Sequence, residues 1–549
     1  MDTLTPTQFK QLHTALLHTF PTRDQLTKMV RLGLAQNLEA IAGGATLDDF
    51  IFNLIRWAES HGQLQELVGG AMSMNPNSLA LKDFAGTIAG EIIVAPEEAS
   101  ADATQHLPES PISSPSFDQS SHESVPSVDI PPMPFTYGAP VRPDSFIGRR
   151  KEMRRIIGRI VNNGESTALI GEPHIGKSSL LHYLRDERLR PSLYGTHAEQ
   201  LCFSFLDGHA LAGVQQLAEF WQRAFAPLGQ LPQHQAALQA CAVQGYNESG
   251  LESVVQHLLK AGQRLVLLID ELDFLLHHPV LNSAAFFGGL RAVASLSQGA
   301  LAVVIASRLP LAQLNAKTQA INPSGSPFFN IYSEITLSAF NDKEMAQLLD
   351  RAKETFRKKD RLLLRQLTGG HPFLLQAASA ALWDAYEDEI DDPSERHAIM
   401  LERLHKELQY HFVDTWQNWS PEFRQAYMTV ALIHLKEKVD GEDFQVDEFL
   451  ADLPNWEPEL KELAYVGFIK RSKASGGWDI NQTITLAWFV DELTKASRSE
   501  SDFARWLVES ELERRWTQGQ REKLRIAGQA MKNLTDDLLV ALVQDFGEG

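Results

Sequence analysis

Eight consecutive residues restrict the fold of this chain more than any other feature. Gly171-Glu172-Pro173-His174-Ile175-Gly176-Lys177-Ser178 follows a short apolar run, Thr167–Ile170, and opens a stretch with helical periodicity, Ser178–Arg185. A strand that turns through two glycines into a helix aims a row of backbone N–H groups, and the positive end of the helix dipole, at one point. Gly171 and Gly176 let the amides turn inward around phosphate oxygens. Lys177 neutralises phosphate charge, Ser178 is placed to hold Mg²⁺, and Ser179 joins the set as the next residue of the helix start. A loop of this kind works only at the end of a buried strand, so it implies a parallel α/β sheet.

The rest of the predicted sheet follows from apolar runs. Strands are expected near 167–170, 201–205, 265–269, 301–306 and 333–337, with helices between them. That rhythm gives a parallel sheet covered on both faces. Leu265–Ile269 ends in Asp270-Glu271, which puts one carboxylate where it can hold Mg²⁺ and a second where it can polarise an attacking water. Asp270 takes the metal role and Glu271 the water. Asp273 fits a helix N-cap as well as a metal role. Leu301–Ala306 ends in Ser307-Arg308, and the end of a central strand is where a γ-phosphate lies; a surface salt bridge is the other reading of Arg308. Upstream, Phe146-Ile147-Gly148-Arg149 either wraps the base or simply starts a helix. Asn341-Asp-Lys-Glu344 has the wrong order for a guanine-reading sequence, so ATP (and ADP) are favoured over GTP. Together these residues describe a P-loop nucleoside triphosphatase.

Beyond that domain, 141–337, the chain divides by composition. Residues 1–90 show only helical spacing: Phe9, Leu12, Leu16 and Phe20, then Arg23–Leu34, then Phe50, Leu54 and Trp57 after a capping-box-like Thr46–Asp49, and a last helix from Asn75-Pro76. This is a small all-α bundle. Residues 91–140 are a predicted disordered, acidic Pro/Ser-rich linker, and 96–140 holds no Lys or Arg. Residues 338–395 are read as a helical lid. Residues 396–498 contain helix, strand, Gly turn, strand, with Gly467–Lys470 and Trp478–Ile480 as the strands, which is a winged-helix pattern; 499–549 are further helix.

Net charge bounds the partners. A formal charge of −20 and a pI near 5.4 argue against a chain whose main task is gripping nucleic acid. Basic residues do gather at 351–361 and 514–525, as solvated helix faces, as a nucleic-acid contact, or as surfaces closing on the acidic body. Cys202 and Cys241 suit a reducing compartment. The N-terminus has no secretory pattern and no apolar run approaches the roughly 18–20 residues of a membrane span, so a cytoplasmic location without membrane contact is expected.

The F-I-G-R, G-x-x-x-x-G-K-S, L-L-I-D-E, S-R and Gly369-Gly-His-Pro372 motifs together resemble the STAND branch of the AAA+-related ATPases, which includes NLR-type immune and apoptotic switches. The resemblance covers roughly 142–498 and implies that Pro372 of the lid lies against the adenine. Its motifs are shared with origin-recognition ATPases. Asp479–Thr485 lacks the histidine of the family's Met-His-Asp element. Residues 1–88 resemble the type-1 effector-associated domain through Phe9–Leu16, Phe20-Pro21, Leu38–Gly44, Trp57-Ala58 and Asn75-Pro-Asn77, a death-fold-like adaptor of bacterial conflict systems thought to pair like with like. The two resemblances imply an ATP-dependent switch that oligomerises on an unnamed trigger and recruits an effector, such as a protease, carrying a matching bundle, in antiphage defence or programmed cell death. The alternative is a DNA-acting ATPase or transcription regulator that sets its winged helix on a duplex.

Overall fold

The computed structural model describes most of residues 12–81, then 133–531 apart from 437–446 and 474–476, and Leu534 and Leu538. The chain divides into two compact units, Met1–Val125 and Pro126–Gly549.

In the first unit, helices Arg23–Gly33, Leu47–Ser60 and Leu64–Met74 are described. Their apolar residues recur every three or four positions, so each helix turns one stripe inward. Leu12, Leu16, Phe20, Leu26, Met29, Val30, Leu34, Phe50 and Leu54 share one core, and Trp57 packs on its edge. The expected capping box and the helix start at Asn75-Pro76 lie outside the described residues.

The second unit is built on a parallel sheet. Its strands are β1 Thr167–Ile170, β2 Leu201–Asp207, β3 Arg264–Asp270, β4 Leu301–Ser307 and β5 Ser333–Thr336, in the spatial order β2-β3-β4-β1-β5. Both faces are buried, and the alternation of side chains across a strand divides them between two cores. Leu265, Leu267 and Ile269 enter one core; Val266 and Leu268 enter the other. β4 is buried along its whole length. Register aligns the strand ends: Ile170 pairs with Ser307, and Asp207 with Asp270. The phosphate loop, the acidic pair and Arg308 therefore emerge at one edge of the sheet.

From Asp342 onward the unit is helical, with one antiparallel hairpin, β6 Ile469–Arg471 and β7 Trp478–Ile480, after the helix Glu457–Val466. The first hairpin strand starts two residues later than the sequence suggested, because Gly467 caps the helix with a φ of 97°. A single apolar core runs from Leu348 through Leu404 and Trp488 to Leu524 and Met531. The stretches read separately as lid, winged helix and C-terminal segment thus share one interior. Buried Arg424 ties them further, donating to the carbonyls of Trp416 (2.8 Å), Gln417 (2.9 Å) and Ser510 (2.6 Å). Of the basic residues near the C-terminus, Arg515, Lys523 and Arg525 close on Glu422, Glu448 and Glu522 at 2.5, 2.5 and 2.6 Å.

The expected linker needs a correction at its end. Residues 91–132 lie outside the described residues, but 133–140 are fastened to the helices. Phe135 is buried and stacks on Phe356 with ring centroids 5.6 Å apart. Thr136 N–H donates to Gln376 Oε1 (3.0 Å), and the Tyr137 hydroxyl donates to Glu407 (3.0 Å). Within 133–140, Phe135 supplies the burial and Tyr137, though exposed, a hydrogen-bonded hydroxyl. No described helix is long and apolar enough to cross a membrane.

Candidate nucleotide site

At the carboxyl edge of the sheet lies a cavity of about 650 Å³, the place where parallel sheets bind ligands. Pro173, His174, Gly176, Lys177, Ser178 and Ser179 of the loop and helix start line it, together with Asp270, Glu271, Asp273 and Arg308 from the strand ends and Pro372 and Phe373 from the helical region. Gly176 has a φ of 100°, which lets the chain turn its amides inward before the helix Lys177–Arg185 begins.

The Lys177 ammonium is buried and donates to the carbonyls of Gly171 (2.8 Å) and Glu172 (2.9 Å). Burial pushes its pKa down, while Asp273, Asp270 and Glu172 pull it back up. The Glu172 carboxyl has its pKa pushed up to about 7, first by burial, against the pull of Lys177. Ser178 stands beside Asp270 and favours its charged form, but burial outweighs this and raises the Asp270 pKa. A hydroxyl paired with a carboxylate is the hard-oxygen donor set that Mg²⁺ accepts. Burial, with Asp270, Asp207 and Asp273 adding repulsion, also raises the pKa of Glu271. Four acids crowd this corner, so a bound cation would relieve repulsion that Lys177 and Arg308 offset only in part. These residues fit Mg²⁺ and a nucleoside triphosphate.

Two groups restrain the strand-end residues. Glu271 sits in the left-handed region (φ 48°), and the His209 imidazole contacts its carboxylate from the turn after β2. That turn is tight: a Cβ on Gly208 would come within 2.5 Å of the Glu271 carbonyl. Arg308 donates through its backbone N–H (3.1 Å) and its Nε (2.9 Å) to Asp273. Its Nη1 reaches Asn418 at 3.0 Å, at the end of the helix Pro393–Asn418. Burial alone would raise the pKa of Asp273, but the Arg308 pair outweighs it and holds the carboxyl below its usual range.

Three expectations change. Asp273 does not cap a helix, since Glu271 holds the N-cap position; it binds Arg308 instead. The salt-bridge reading of Arg308 is therefore realised, although the residue also lines the cavity. Phe146–Arg149 stands outside the cavity lining. Phe146 stacks on Tyr183 (4.5 Å), Ile147 and Gly148 pack beside the helix Asp342–Leu349, and Arg149 donates to the Ile175 (3.0 Å) and Ser338 (2.5 Å) carbonyls. These residues buttress the phosphate loop from behind. Ile175 likewise points into the core, and Gly171 lies behind the loop.

Sequence reasoning missed His209 and the strap Tyr137–Val141. The strap lines the cavity, with Val141 N–H donating to Ser179 Oγ at 3.0 Å. It also missed Phe373, whose ring stacks on His174 at 4.8 Å.

This arrangement defines a P-loop ATPase-type site. The chain belongs to the AAA-like domain family, whose model matches residues 137–440. Residues 2–89 match the model of effector-associated domain 1. Among solved structures the chain is similar to the Walker-type ATPase paby2304 of Pyrococcus abyssi, at 16% identity and a TM-score of 0.41, covering 65% of this chain and 99% of that one. It is also similar to Aeropyrum pernix ORC2 in ADPNP-ADP complexes, at 13% identity and TM-score 0.38 over 62% of this chain and 92% of that one. The ORC1 protein of the same organism, in complex with DNA, matches at 11% identity and TM-score 0.32 over 66% and 95%. No curated protein sequence matches the chain.

Proposed function

We propose that this protein is an ATP-driven signalling switch of the STAND type, which assembles when ATP replaces ADP and recruits an effector through residues 1–90. The observation that carries the reading is Arg308. It stands in the cavity beside the phosphate loop, yet its far nitrogen holds Asn418 at the end of a helix rooted in the helical core. A γ-phosphate competes for this guanidinium, which draws it off Asn418 and loosens the helices from the sheet. ADP offers no such competitor, so the closed contact persists.

The other residues act in concert. Lys177 exchanges its two loop carbonyls for phosphate oxygens. Ser178 and Asp270 would hold Mg²⁺, which would neutralise phosphate charge. Glu271, once released by His209, orients and polarises the attacking water, and the same contact keeps basal turnover low. Pro372 and Phe373 with the strap Tyr137–Val141 form the apolar end that takes the adenine. Clustering then raises the local concentration of the N-terminal bundles for an effector bearing a matching one.

The test is Glu271→Gln, which keeps shape and loses basicity. Its phosphate release should fall about 10²- to 10⁴-fold, with ATP binding retained and a heavier particle accumulating, whether or not residues 1–90 are present. Wild-type turnover in the variant would move the catalytic role elsewhere; failure of the truncated form to assemble would make the bundle part of the switch.

A further inference from the structure

The chain has a formal charge of −20, and the helix Arg150–Asn162 departs from that acidic balance. It carries Arg150, Lys151, Arg154, Arg155 and Arg159 against a single acid, Glu152. Arg159 is engaged by Glu165 at 2.7 Å and by Thr167. The other four are exposed, and none of them makes an ion pair or a side-chain hydrogen bond among the described residues. Residues four apart stand one above the other on a helix, so Arg150 lies over Arg154 and Lys151 over Arg155. Like charges at that spacing repel by a few tenths of a kcal/mol per pair. Among the described residues only Glu152, on the same helix, stands beside them to offset this.

The helix is tied to the nucleotide site at its first residue. Its N-cap, Arg149, donates to Ile175 of the phosphate loop and to Ser338 beyond β5, and the Arg149 N–H donates to Glu344 at 2.8 Å. A shift between the loop and the helix Asp342–Leu349 therefore re-aims the four cations.

The complementary surface lies on the same chain. Glu387, Asp388, Glu389, Asp391, Asp392 and Glu395 fall within nine residues that contain no Lys or Arg, and all six are exposed. Among the described residues only Asp388 of the six is paired with a cation, Arg403 at 2.6 Å. The segment is held from beneath by Arg396, a buried side chain that donates to the carbonyls of Ile390 (3.0 Å) and Asp391 (2.9 Å) and lies 3.8 Å over the Tyr386 ring. Its carboxylates thus project from a fixed backbone. No ion pair joins the two surfaces within one chain among the described residues.

We propose that the Arg150–Arg155 face of one copy docks on the 387–395 carboxylates of a second copy, head to tail, and that nucleotide state controls this docking through Arg149. The inference rests on the switch reading above and names its assembly surface. Two different patches in contact make a heterologous interface, which propagates into a ring or filament. The charges set register and association rate, with the affinity completed by the surrounding contact area. A duplex would meet the same cations, but the repulsion of a −20 chain opposes it.

The experiment uses the full chain carrying Glu271→Gln with ATP and Mg²⁺, and reads particle mass against protein concentration. Arg154→Glu/Arg155→Glu and Asp391→Lys/Glu395→Lys should each raise the assembly concentration roughly tenfold or more, with ATP affinity unchanged. Combining all four substitutions should restore assembly to within about threefold of the parent. Arg154→Gln/Arg155→Gln serves as the milder variant should the reversal fail to fold. Reversals that assemble like the parent, or a combination that does not recover, overturn the interface alone. A parent that binds ATP but never assembles overturns the switch reading as well. If Arg154→Glu/Arg155→Glu instead loses a labelled DNA duplex bound by the parent while assembling normally, the face belongs to nucleic acid and the proposal is wrong.

Discussion

Along the sheet, every residue of Leu265–Ile269 and Leu301–Ala306 enters one of two cores, and the site's acids and Arg308 come only at or just beyond the end of each apolar run. Across the helices from Asp342 to Met531 one core runs without such a boundary, and its polar groups, such as Arg424, are interior staples. The sheet region separates stability from chemistry; the helical region merges stability with the linkage between segments. Substitutions at the sheet edge should therefore change chemistry without melting the fold, and substitutions in the helices should do the reverse. Arg308 crosses the boundary, and so should its effects.

The largest expected stability effect lies in the helices. Arg424→Ala would leave two buried carbonyls, of Trp416 and Ser510, and the part-buried one of Gln417 without their donor; at about 1–3 kcal/mol for each buried group, it should cost about 3 kcal/mol in chemical denaturation. ATP affinity at the lowest denaturant should stay near that of the wild type. A loss of ATP binding without a loss of stability would break the comparison.

Arg308→Ala tests the crossing point. Removing a charge-assisted contact to the γ-phosphate should shrink the preference for ATP over ADP about tenfold. It also deletes the Asn418 contact, so the variant should open without ATP, read as faster proteolysis of the helices. Equal losses for both nucleotides, with proteolysis unchanged, would remove Arg308 from the switch.

How far each region was legible follows from the same contrast. The strand positions were readable because a buried parallel strand is a continuous apolar run of fixed length bounded by turn residues. The phosphate loop was readable because its glycines, lysine and serine are adjacent in sequence. The Asp273–Arg308 pair spans 35 positions and leaves no local pattern, so Asp273 could be read only as a cap or a ligand. His209 did leave a signal: Asp207-Gly208-His209 ends an apolar strand much as Asp270-Glu271 ends its neighbour. In the helices, periodicity told which face is buried and not against what, so the shared core linking 338–395, 396–498 and 499–531 had no sequence signature. Phe135 and Tyr137 were submerged in a Pro/Ser-rich composition that otherwise argues for a free tether.

The smallest effect sharpens the picture inside the loop. Glu172 has a folded pKa raised from 4.5 to about 7. Between those values the folded state binds a proton that the unfolded chain does not, so stability falls as pH rises from about 4.5 to 7 and the cost is complete above it. Glu172→Gln should flatten that part of the profile and raise the melting temperature at mildly alkaline pH. A variant that melts lower there than the wild type would show that the carboxylate is needed charged.

The central claim is that the cavity at the sheet edge binds ATP through Lys177, and calorimetry on Lys177→Ala tests it most directly. Among the described residues the lysine donates to two loop carbonyls and no others, so the variant should keep its fold while losing about 3 kcal/mol of ATP affinity, roughly a hundredfold. A folded Lys177→Ala protein that binds ATP as tightly as the wild type would contradict the account.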